Sequence, residues 1–182
     1  MTLAYQGPVR LVVFDVDGVL TDGALHLGAE GEMFKSFSAR DGVAFGLLRA
    51  HGILSAIISG KASRALDYRV TELSIDHAVT GCSNKAQAYA SLKALLGLED
   101  RHVVFVGDDV IDLAVMKQAG SSYAPADAHP LARRVARHVT RAAGGKGVAR
   151  EVVEHVLLLG GVELDEAYLP MLVSEGSCHV RQ

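Results

Sequence analysis

The sequence predicts an α/β fold with a doubly wound, mostly parallel, Rossmann-like sheet, and three observations support this. Short β-branched or apolar runs alternate with longer segments of helical period. The runs lack polar alternation, which is typical of parallel strands covered by helices on both faces. The length of 182 residues suits one domain, and 49% hydrophobic residues allow a sizeable core.

The elements follow the chain in a regular order. Four runs predict strands, the last of them weak: residues 11–14, 56–58, 103–106 and 122–124. Six periodic segments predict helices: residues 42–51, 62–73, 85–96, 110–119, 131–137 and 148–159. After the first strand, residues 24–37 hold two short apolar runs around a glycine-containing turn, which predicts a β-hairpin. This insertion is too small to be a cap domain, so we expect a capless domain over residues 1–160.

Residues 161–182 show no defensible period and are predicted to form a tail, flexible or docked on a neighbouring subunit. Cys82 and Cys178 match neither a disulfide framework nor a zinc spacing, which favours a reducing cytoplasm. Eighteen Lys and Arg against 21 Asp and Glu give a net charge of −3 and no general attraction to nucleic acid or anionic lipid. No export signal and no long apolar run is present, so we expect neither secretion nor a membrane anchor.

Acidic residues follow two of the predicted strands. Asp15 and Asp17 come directly after the first strand, and Asp108 follows the strand at residues 103–106. Because the carboxyl ends of parallel strands share one edge of a sheet, these side chains can meet there. Clustered carboxylates repel each other unless a cation neutralises them, and their oxygens suit Mg²⁺. The pattern predicts a Mg²⁺ site, with support from Asp109 or Asp112 left open.

Two further positions indicate a pocket for an anion. Ser59 ends another apolar strand, and Gly60 after it lets backbone N–H groups approach a ligand. Lys85 opens a predicted helix, where a cation opposes the helix dipole unless an anion lies between them. Together with the acids, these residues describe a phosphate site.

These residues resemble, in order and approximate spacing, the four motifs of the haloacid dehalogenase-like phosphatases. The matching positions are residues 15–22, Ser59 with Gly60, Lys85, and residues 107–112. Within that superfamily, residues 38–42, 127–130 and 144–147 and the capless length resemble the 3-deoxy-D-manno-octulosonate 8-phosphate phosphatase family over about residues 9–160. The resemblance implies hydrolysis of that sugar phosphate for lipopolysaccharide precursor synthesis. It also implies a homotetramer in which the hairpin and tail help to close a neighbour's site.

The resemblance implies a role for each matching residue. Asp15 would attack phosphorus to form an aspartyl-phosphate, and Asp17 would protonate the leaving oxygen and then activate water. Mg²⁺ would be held by Asp15, the backbone carbonyl of Asp17, and Asp108. Phosphoryl oxygens would contact Ser59 and Lys85. The implied substrate contacts comprise Asp17, Ser38, Ala39, Arg40, Asp41, Gly42, Gly46, Gly60, Lys61, Arg69 and Lys85.

Two substrates remain open at this point. Lys61 stands where the octulosonate enzymes usually carry arginine, and lysine cannot reproduce a bidentate guanidinium fork. A nonulosonate 9-phosphate is therefore the alternative substrate. Lys146 is a candidate substrate contact, although residues 144–147 are more simply a turn before the last helix.

Two other classes of protein fit parts of the pattern. A signalling receiver domain also places a phosphorylated aspartate, an acidic pair, a hydroxyl and a lysine on a doubly wound sheet. Asp17 argues against it, because a general acid two residues from the nucleophile serves turnover, whereas a receiver must retain its acyl phosphate. A catalytically silent interaction module is disfavoured because every motif residue is present.

Overall fold

A six-stranded parallel sheet forms the centre of the computed structural model, which describes residues 5–174. In chain order its strands are β1 (Leu11–Phe14), β4 (Leu54–Ile58), β5 (His77–Val79), β6 (Val103–Val106), β7 (Ser121–Ala124) and β8 (His138–Val139). Their order across the sheet is β5-β4-β1-β6-β7-β8, and every pairing is parallel. The chain builds outward from β1 in one direction and then from β6 in the other. A crevice for ligands is expected at such a switch point, outside the carboxyl ends of β1 and β6.

Helices cover both faces of this sheet. In chain order they are α1 (Ala39–Ala50), α2 (Arg64–Leu73), α3 (Lys85–Leu96), α4 (Leu113–Gln118), α5 (Pro130–Val135), α6 (Val148–Leu159), α7 (Leu164–Ala167) and α8 (Leu169–Ser174). Within β1, Val12 and Phe14 pack with α1 and α6, whereas Leu11 and Val13 face α3, α4 and α5. This alternation buries β1 completely and confirms the predicted parallel sheet with two covered faces.

The predicted hairpin is present as β2 (His26–Gly28) and β3 (Gly31–Phe34), a separate antiparallel pair. Its second strand ends earlier than the predicted apolar run, because Phe37 turns back and packs against the core. Leu27, Met33 and Phe34 are 65%, 69% and 50% exposed, so residues 5–174 leave these three apolar side chains largely uncovered.

The described part of the tail is more regular than its sequence indicates. Helices α7 and α8 follow Gly160, and Val162 and Ala167 are buried in the core cluster that contains α1 and α6. These helices span four and six residues, too few to display a hydrophobic period. Residues 175–182 lie outside the described part of the chain, and docking on a neighbouring subunit stays a prediction.

The edge strands β5 and β8 were not among the predicted elements. They hold three and two residues, so they carry no recognisable apolar run. The predicted helix at 110–119 is divided into a 3-10 turn, Val110–Asp112, followed by α4. Between residues 5 and 174, no helix has the length and hydropathy needed to span a membrane.

Candidate active site

Three carboxylates meet at the carboxyl ends of β1 and β6. Asp15 follows β1 directly, and its N–H donates to the Val106 carbonyl at 2.8 Å, which ties the two strand ends together. Asp108 lies two residues beyond β6, and Asp112 closes the 3-10 turn after it. One carboxylate oxygen from each of Asp15, Asp108 and Asp112 lies within 4.8 Å of the others. We call these three residues the carboxylate cluster.

Lys85 neutralises part of this cluster. Its Nζ lies 2.8 Å from Asp15 Oδ1 and 2.6 Å from Asp112 Oδ1, and its side chain is buried. Asn84 caps α3 by accepting the Gln87 N–H, so Lys85 begins the helix and extends across the ends of the strands. The lysine therefore fixes the carboxylate of Asp15 from one side.

Asp112 anchors the loop that carries Asp108. Its Oδ2 accepts the backbone N–H groups of Asp108 and Asp109 at 3.1 and 3.2 Å. With Lys85 on its other oxygen, the fully buried Asp112 is satisfied by protein donors. Asp109 is exposed and caps the turn by accepting the Val110 N–H. The structure thus favours Asp112 over Asp109 as the residue that supports a cation here.

The electrostatics of the cluster fit a bound cation. Burial, followed by the charges of Asp15 and Asp112, raises the pKa of Asp108 well above its ordinary value. Burial also raises the pKa of Asp15, against the opposing charge of Lys85. Asp108 Oδ1 is buried and accepts no hydrogen bond from residues 5–174. A hard divalent cation would satisfy this oxygen and favour the ionised carboxylates.

Gly18 leaves room for the Asp108 carboxylate because it has no side chain. It adopts a φ of +94°, and a Cβ built there would lie 2.1 Å from Asp108 Oδ2. Any side chain would displace the carboxylate and strain the backbone.

Two hydrogen bonds connect Asp108 with the later loops. The backbone carbonyl of Asp108 accepts the His129 N–H at 2.8 Å, and the Asp127 side chain accepts the Gly144 N–H. Residues 127–130 are therefore bonded both to Asp108 and to residues 144–147, which stabilises the position of Asp108.

Ser59 follows β4 directly, next to β1 in the sheet order, and is buried. Its Oγ accepts the Lys61 N–H at 3.1 Å, while Ser63 provides the N-cap of α2. Ser59 is therefore not the helix cap, although a serine at a strand-to-helix connection often is. Gly60 is exposed, and its nearest non-neighbouring atom would lie 3.7 Å from an added Cβ. Contacts of Ser59 and Gly60 with a phosphoryl group stay predictions.

Asp17 lies at the mouth of the site with a side chain that is 21% exposed. Lys35, just after β3, donates from Nζ to Asp17 Oδ1 at 2.6 Å and also lies 3.0 Å from Glu32 Oε2. Lys35 was not among the predicted site residues. A single cation between Phe34 and Phe37 in an apolar hairpin was the signal that could have indicated it.

Residues 38–42 form the N-cap and first turn of α1, and two of them line a cavity. Ser38 caps α1 by accepting the Arg40 N–H. A cavity of about 420 Å³ is lined by Asp22, residues 36–38, Arg40, Gly145 and Lys146. This volume falls in the range of small-molecule sites. The structure thus brings two predicted sugar contacts, Ser38 and Arg40, together with Lys146.

Two predicted substrate contacts have packing partners within the protein instead. Asp41 is buried, and its Oδ1 accepts the N–H of Arg150 in the first turn of α6. Gly46 faces the tail, where an added Cβ would lie 3.0 Å from the sulfur of Met171. Their positions favour a structural role in holding α1, and contact with a sugar stays a prediction.

The other predicted contacts lie at the start of α1 or on the surface. Arg69 donates from Nη2 to the Ser38 carbonyl at 3.1 Å and lies over the ring of Phe37, so it holds the start of α1. Ala39 and Lys61 are exposed. Gly42 fits against α2, because an added Cβ would lie 3.2 Å from Leu73.

A larger cavity of about 820 Å³ adjoins the first one and extends along α6 and β8. Both cavities include Arg40 and Lys146 in their walls. The larger cavity does not include the carboxylate cluster among its lining residues. The carboxylate cluster therefore lies at the strand ends, outside the lining of either cavity.

Comparisons with known proteins agree with this arrangement. A model of the haloacid dehalogenase-like hydrolase family matches residues 71–152. The chain is 44% identical over 159 residues to the 3-deoxy-D-manno-octulosonate 8-phosphate phosphatase of Escherichia coli K12, covering 87% of this chain and 84% of the relative.

Solved structures give the same result. The phosphatase of that name from Yersinia pestis superposes with a TM-score of 0.83 and 42% identity, covering 88% of this chain and 86% of that one. The Moraxella catarrhalis enzyme, solved in complex with magnesium, phosphate and KDO, gives a TM-score of 0.85 at 33% identity, covering 92% and 95%. A cobalt-bound phosphatase from Haemophilus influenzae gives 0.84 at 35% identity, covering 89% and 97%.

Proposed function

Because this chain belongs to the 3-deoxy-D-manno-octulosonate 8-phosphate phosphatases of the haloacid dehalogenase-like hydrolases, we propose that it hydrolyses that phosphomonoester to the free sugar acid and phosphate. The observation that carries the proposal is the carboxylate cluster with Lys85 at the switch point of the sheet. A receiver domain would share this geometry, but the relatives are phosphatases and the matching family is a hydrolase family.

Mg²⁺ is the proposed cofactor, and the residues present fit it. Asp15 and Asp108 would hold the ion with the backbone carbonyl of Asp17, while Asp112 would keep Asp108 and Lys85 in place. The buried Asp108 Oδ1, which accepts no hydrogen bond from the described residues, supports this ligand set. When bound, Mg²⁺ would offset the negative charge of the phosphate and of the transition state. A relative solved with magnesium, phosphate and KDO adds chemical support.

Asp15 is the proposed nucleophile. One carboxylate oxygen attacks phosphorus while the bond from phosphorus to the sugar oxygen breaks, which forms an aspartyl-phosphate. Lys85 Nζ lies 2.8 Å from Asp15 Oδ1 and holds that carboxylate in a fixed orientation. Ser59 and Lys85 would donate hydrogen bonds to phosphoryl oxygens, as their burial at the strand ends allows.

Asp17 is the proposed general acid and base. It would give a proton to the leaving sugar oxygen in the first step. In the second step it would take a proton from the water that attacks the aspartyl-phosphate, which releases phosphate and regenerates Asp15. Its partial exposure at the mouth of the site supports contact with both the leaving group and water.

The sugar acid would occupy the 420 Å³ cavity, where Arg40 and Lys146 line the wall and offer cationic partners for its carboxylate. Lys61 favours testing a second substrate, a nonulosonate 9-phosphate, because the octulosonate enzymes usually carry arginine there. Phosphate release should be measured for both sugar phosphates with Mg²⁺ present. A higher kcat/KM for the octulosonate 8-phosphate supports the proposal, and a preference for the nine-carbon substrate would contradict the assignment.

We also propose a homotetramer located in the cytoplasm. The exposed apolar side chains of the hairpin support self-association, because a two-stranded hairpin cannot bury them alone. A neighbouring subunit placed there would exclude water from a site that lacks a cap domain.

A further inference from the structure

We propose that Lys35 of the hairpin is a positioning residue, which fixes the carboxylate of Asp17 for proton transfer. The inference rests on the proposed function, since it concerns the same phosphatase reaction. It assigns to the hairpin a direct part in the chemistry in addition to its proposed part in assembly.

The contacts of Lys35 carry the argument. Its Nζ donates to Asp17 Oδ1 at 2.6 Å and lies 3.0 Å from Glu32 Oε2, so one ammonium group joins two carboxylates. The side chain of Lys35 is only 1% exposed. Lysine is seldom buried to this extent without a partner that requires its charge. The buried ammonium group that the hairpin provides, that of Lys35, therefore lies at the mouth of the site.

Asp17 depends on this contact. Among the described residues, Lys35 is the only hydrogen-bond donor to its carboxylate. Holding Oδ1 leaves Oδ2 as the oxygen that can face the leaving group and the attacking water. Glu32 in turn limits the directions available to the lysine, because it is attached to the strand β3 that precedes Lys35.

The arrangement contrasts with that of Asp15. The Asp15 carboxylate is buried and bonded to Lys85, which begins helix α3 inside the protein. The Asp17 carboxylate is partly exposed and bonded to a residue of a two-stranded hairpin. Proton transfer is sensitive to small displacements, and misplacement of a catalytic group by about 1 Å can lower a rate by about a hundredfold.

Replacement of Lys35 should therefore affect the two chemical steps differently. With p-nitrophenyl phosphate, the phenolate leaves with the bonding electron pair and needs no proton, so attack by Asp15 proceeds at close to its parental rate. Hydrolysis of the aspartyl-phosphate still needs Asp17 to take a proton from water. A displaced Asp17 slows only this second step.

The experiment uses the full-length protein with Mg²⁺ and compares the parent with Lys35→Met, Lys35→Arg and Glu30→Gln. Glu30 lies in the turn of the same hairpin, is exposed and makes no contact with Asp17, so its variant should match the parent. For Lys35→Met, kcat on the sugar phosphate should fall by about 10- to 100-fold at an unchanged KM. On p-nitrophenyl phosphate, a burst of nearly one phenolate per subunit should precede a slow steady rate.

Lys35→Arg should recover part of kcat, because a guanidinium can also donate to Asp17. Parental kcat in Lys35→Met, or a loss of burst amplitude in proportion to the steady rate, would overturn the proposal, since the second result indicates fewer folded sites. A parent that hydrolyses p-nitrophenyl phosphate but not octulosonate 8-phosphate would contradict the proposed function instead. The burst would still decide the role of Lys35 in that case.

Discussion

Whereas Asp15, Lys85 and Asp112 are buried and bonded to one another at the ends of central strands, the hairpin leaves Leu27 and Met33 largely in solvent. The first region is held by the sheet, because Asp15 follows β1, Asp112 lies in the turn after β6, and Lys85 begins α3. The second is a pair of short strands whose register is irregular between His26 and Leu27. Both regions nevertheless place a buried lysine against a carboxylate of the site.

This difference shows how a small domain can divide its chemistry. The sheet fixes the proposed nucleophile and the groups that would hold a cation, which must not move during the reaction. The hairpin carries the partner of the proposed acid and base, and its exposed apolar side chains leave it available to a neighbouring subunit. Substitutions in one region at a time test this division of roles between the sheet and the hairpin.

The largest effect is expected in the sheet region, from Asp15→Asn. An amide cannot serve as the nucleophile or as an anionic ligand, so turnover should fall below detection. Steady-state phosphate release measures this loss, and circular dichroism verifies that the variant is folded. Asp67→Asn, an exposed change in the first turn of α2, is the control. Substantial activity in folded Asp15→Asn would remove Asp15 as nucleophile.

Metal removal should have a similarly large effect on the same region. Treatment with EDTA should abolish phosphate release, and added Mg²⁺ should restore it, because carboxylates as close as Asp15 and Asp108 require a cation. Ca²⁺ should bind without supporting turnover, since it accepts a looser and higher coordination. Phosphate release in EDTA and after each addition provides the measurement. Full activity after exhaustive chelation would show that the carboxylate cluster works without a metal.

Asp17→Asn tests the boundary between the two regions. The nucleophile remains, while acid and base assistance worth about 10² to 10⁴ in rate is lost. Rapid quenching followed by denaturing electrophoresis with a radiolabelled substrate should detect trapped aspartyl-phosphate. Parental turnover in this variant would disprove a two-aspartate mechanism.

Phe34→Asp tests the hairpin as an interface. Phe34 is half exposed and stacks on His26, so a charge there should disrupt association while leaving the sheet intact. Light scattering after size exclusion should show a tetramer for the parent and smaller species for the variant, with turnover lowered by about tenfold or more. A monomeric parent with full activity would refute the assembly proposal.

The smallest expected effect is a pH dependence of thermal stability in the metal-free protein. Burial and the neighbouring carboxylates raise the pKa of Asp108, so the native state binds its proton more tightly than the unfolded chain does. The resulting stability is complete below the ordinary pKa of about 4 and is lost as the pH rises towards the raised pKa of Asp108. The melting temperature without metal should therefore be higher at about pH 5 than at about pH 8. Mg²⁺ should reduce this difference in melting temperature, and Asp108→Asn should remove most of it. An unchanged pH dependence of the melting temperature in that variant would assign the dependence to other groups.

The sequence allowed prediction of the sheet region better than of the hairpin. An apolar run followed by Asp15, or by Asp108, can be recognised within one short segment of the sequence. The common edge of parallel strands then predicts that the two side chains lie close together. The contact between Lys35 and Asp17 depends on how far the hairpin folds back over the crevice, which no local period encodes. Asp41 illustrates the same limit, because its partner Arg150 lies 109 positions away.

The bond between Asp41 and the first turn of α6 has a mechanical consequence. It joins α1, whose N-cap and first turn contain Ser38 and Arg40, to α6, which follows Gly145 and Lys146, and both segments line the 420 Å³ cavity. Because this partly buried bond links the two segments, we expect them to move together. We therefore expect the aperture to keep a fixed width, so that ligands are sorted by the length of the side chains at its rim, chiefly Arg40 and Lys146.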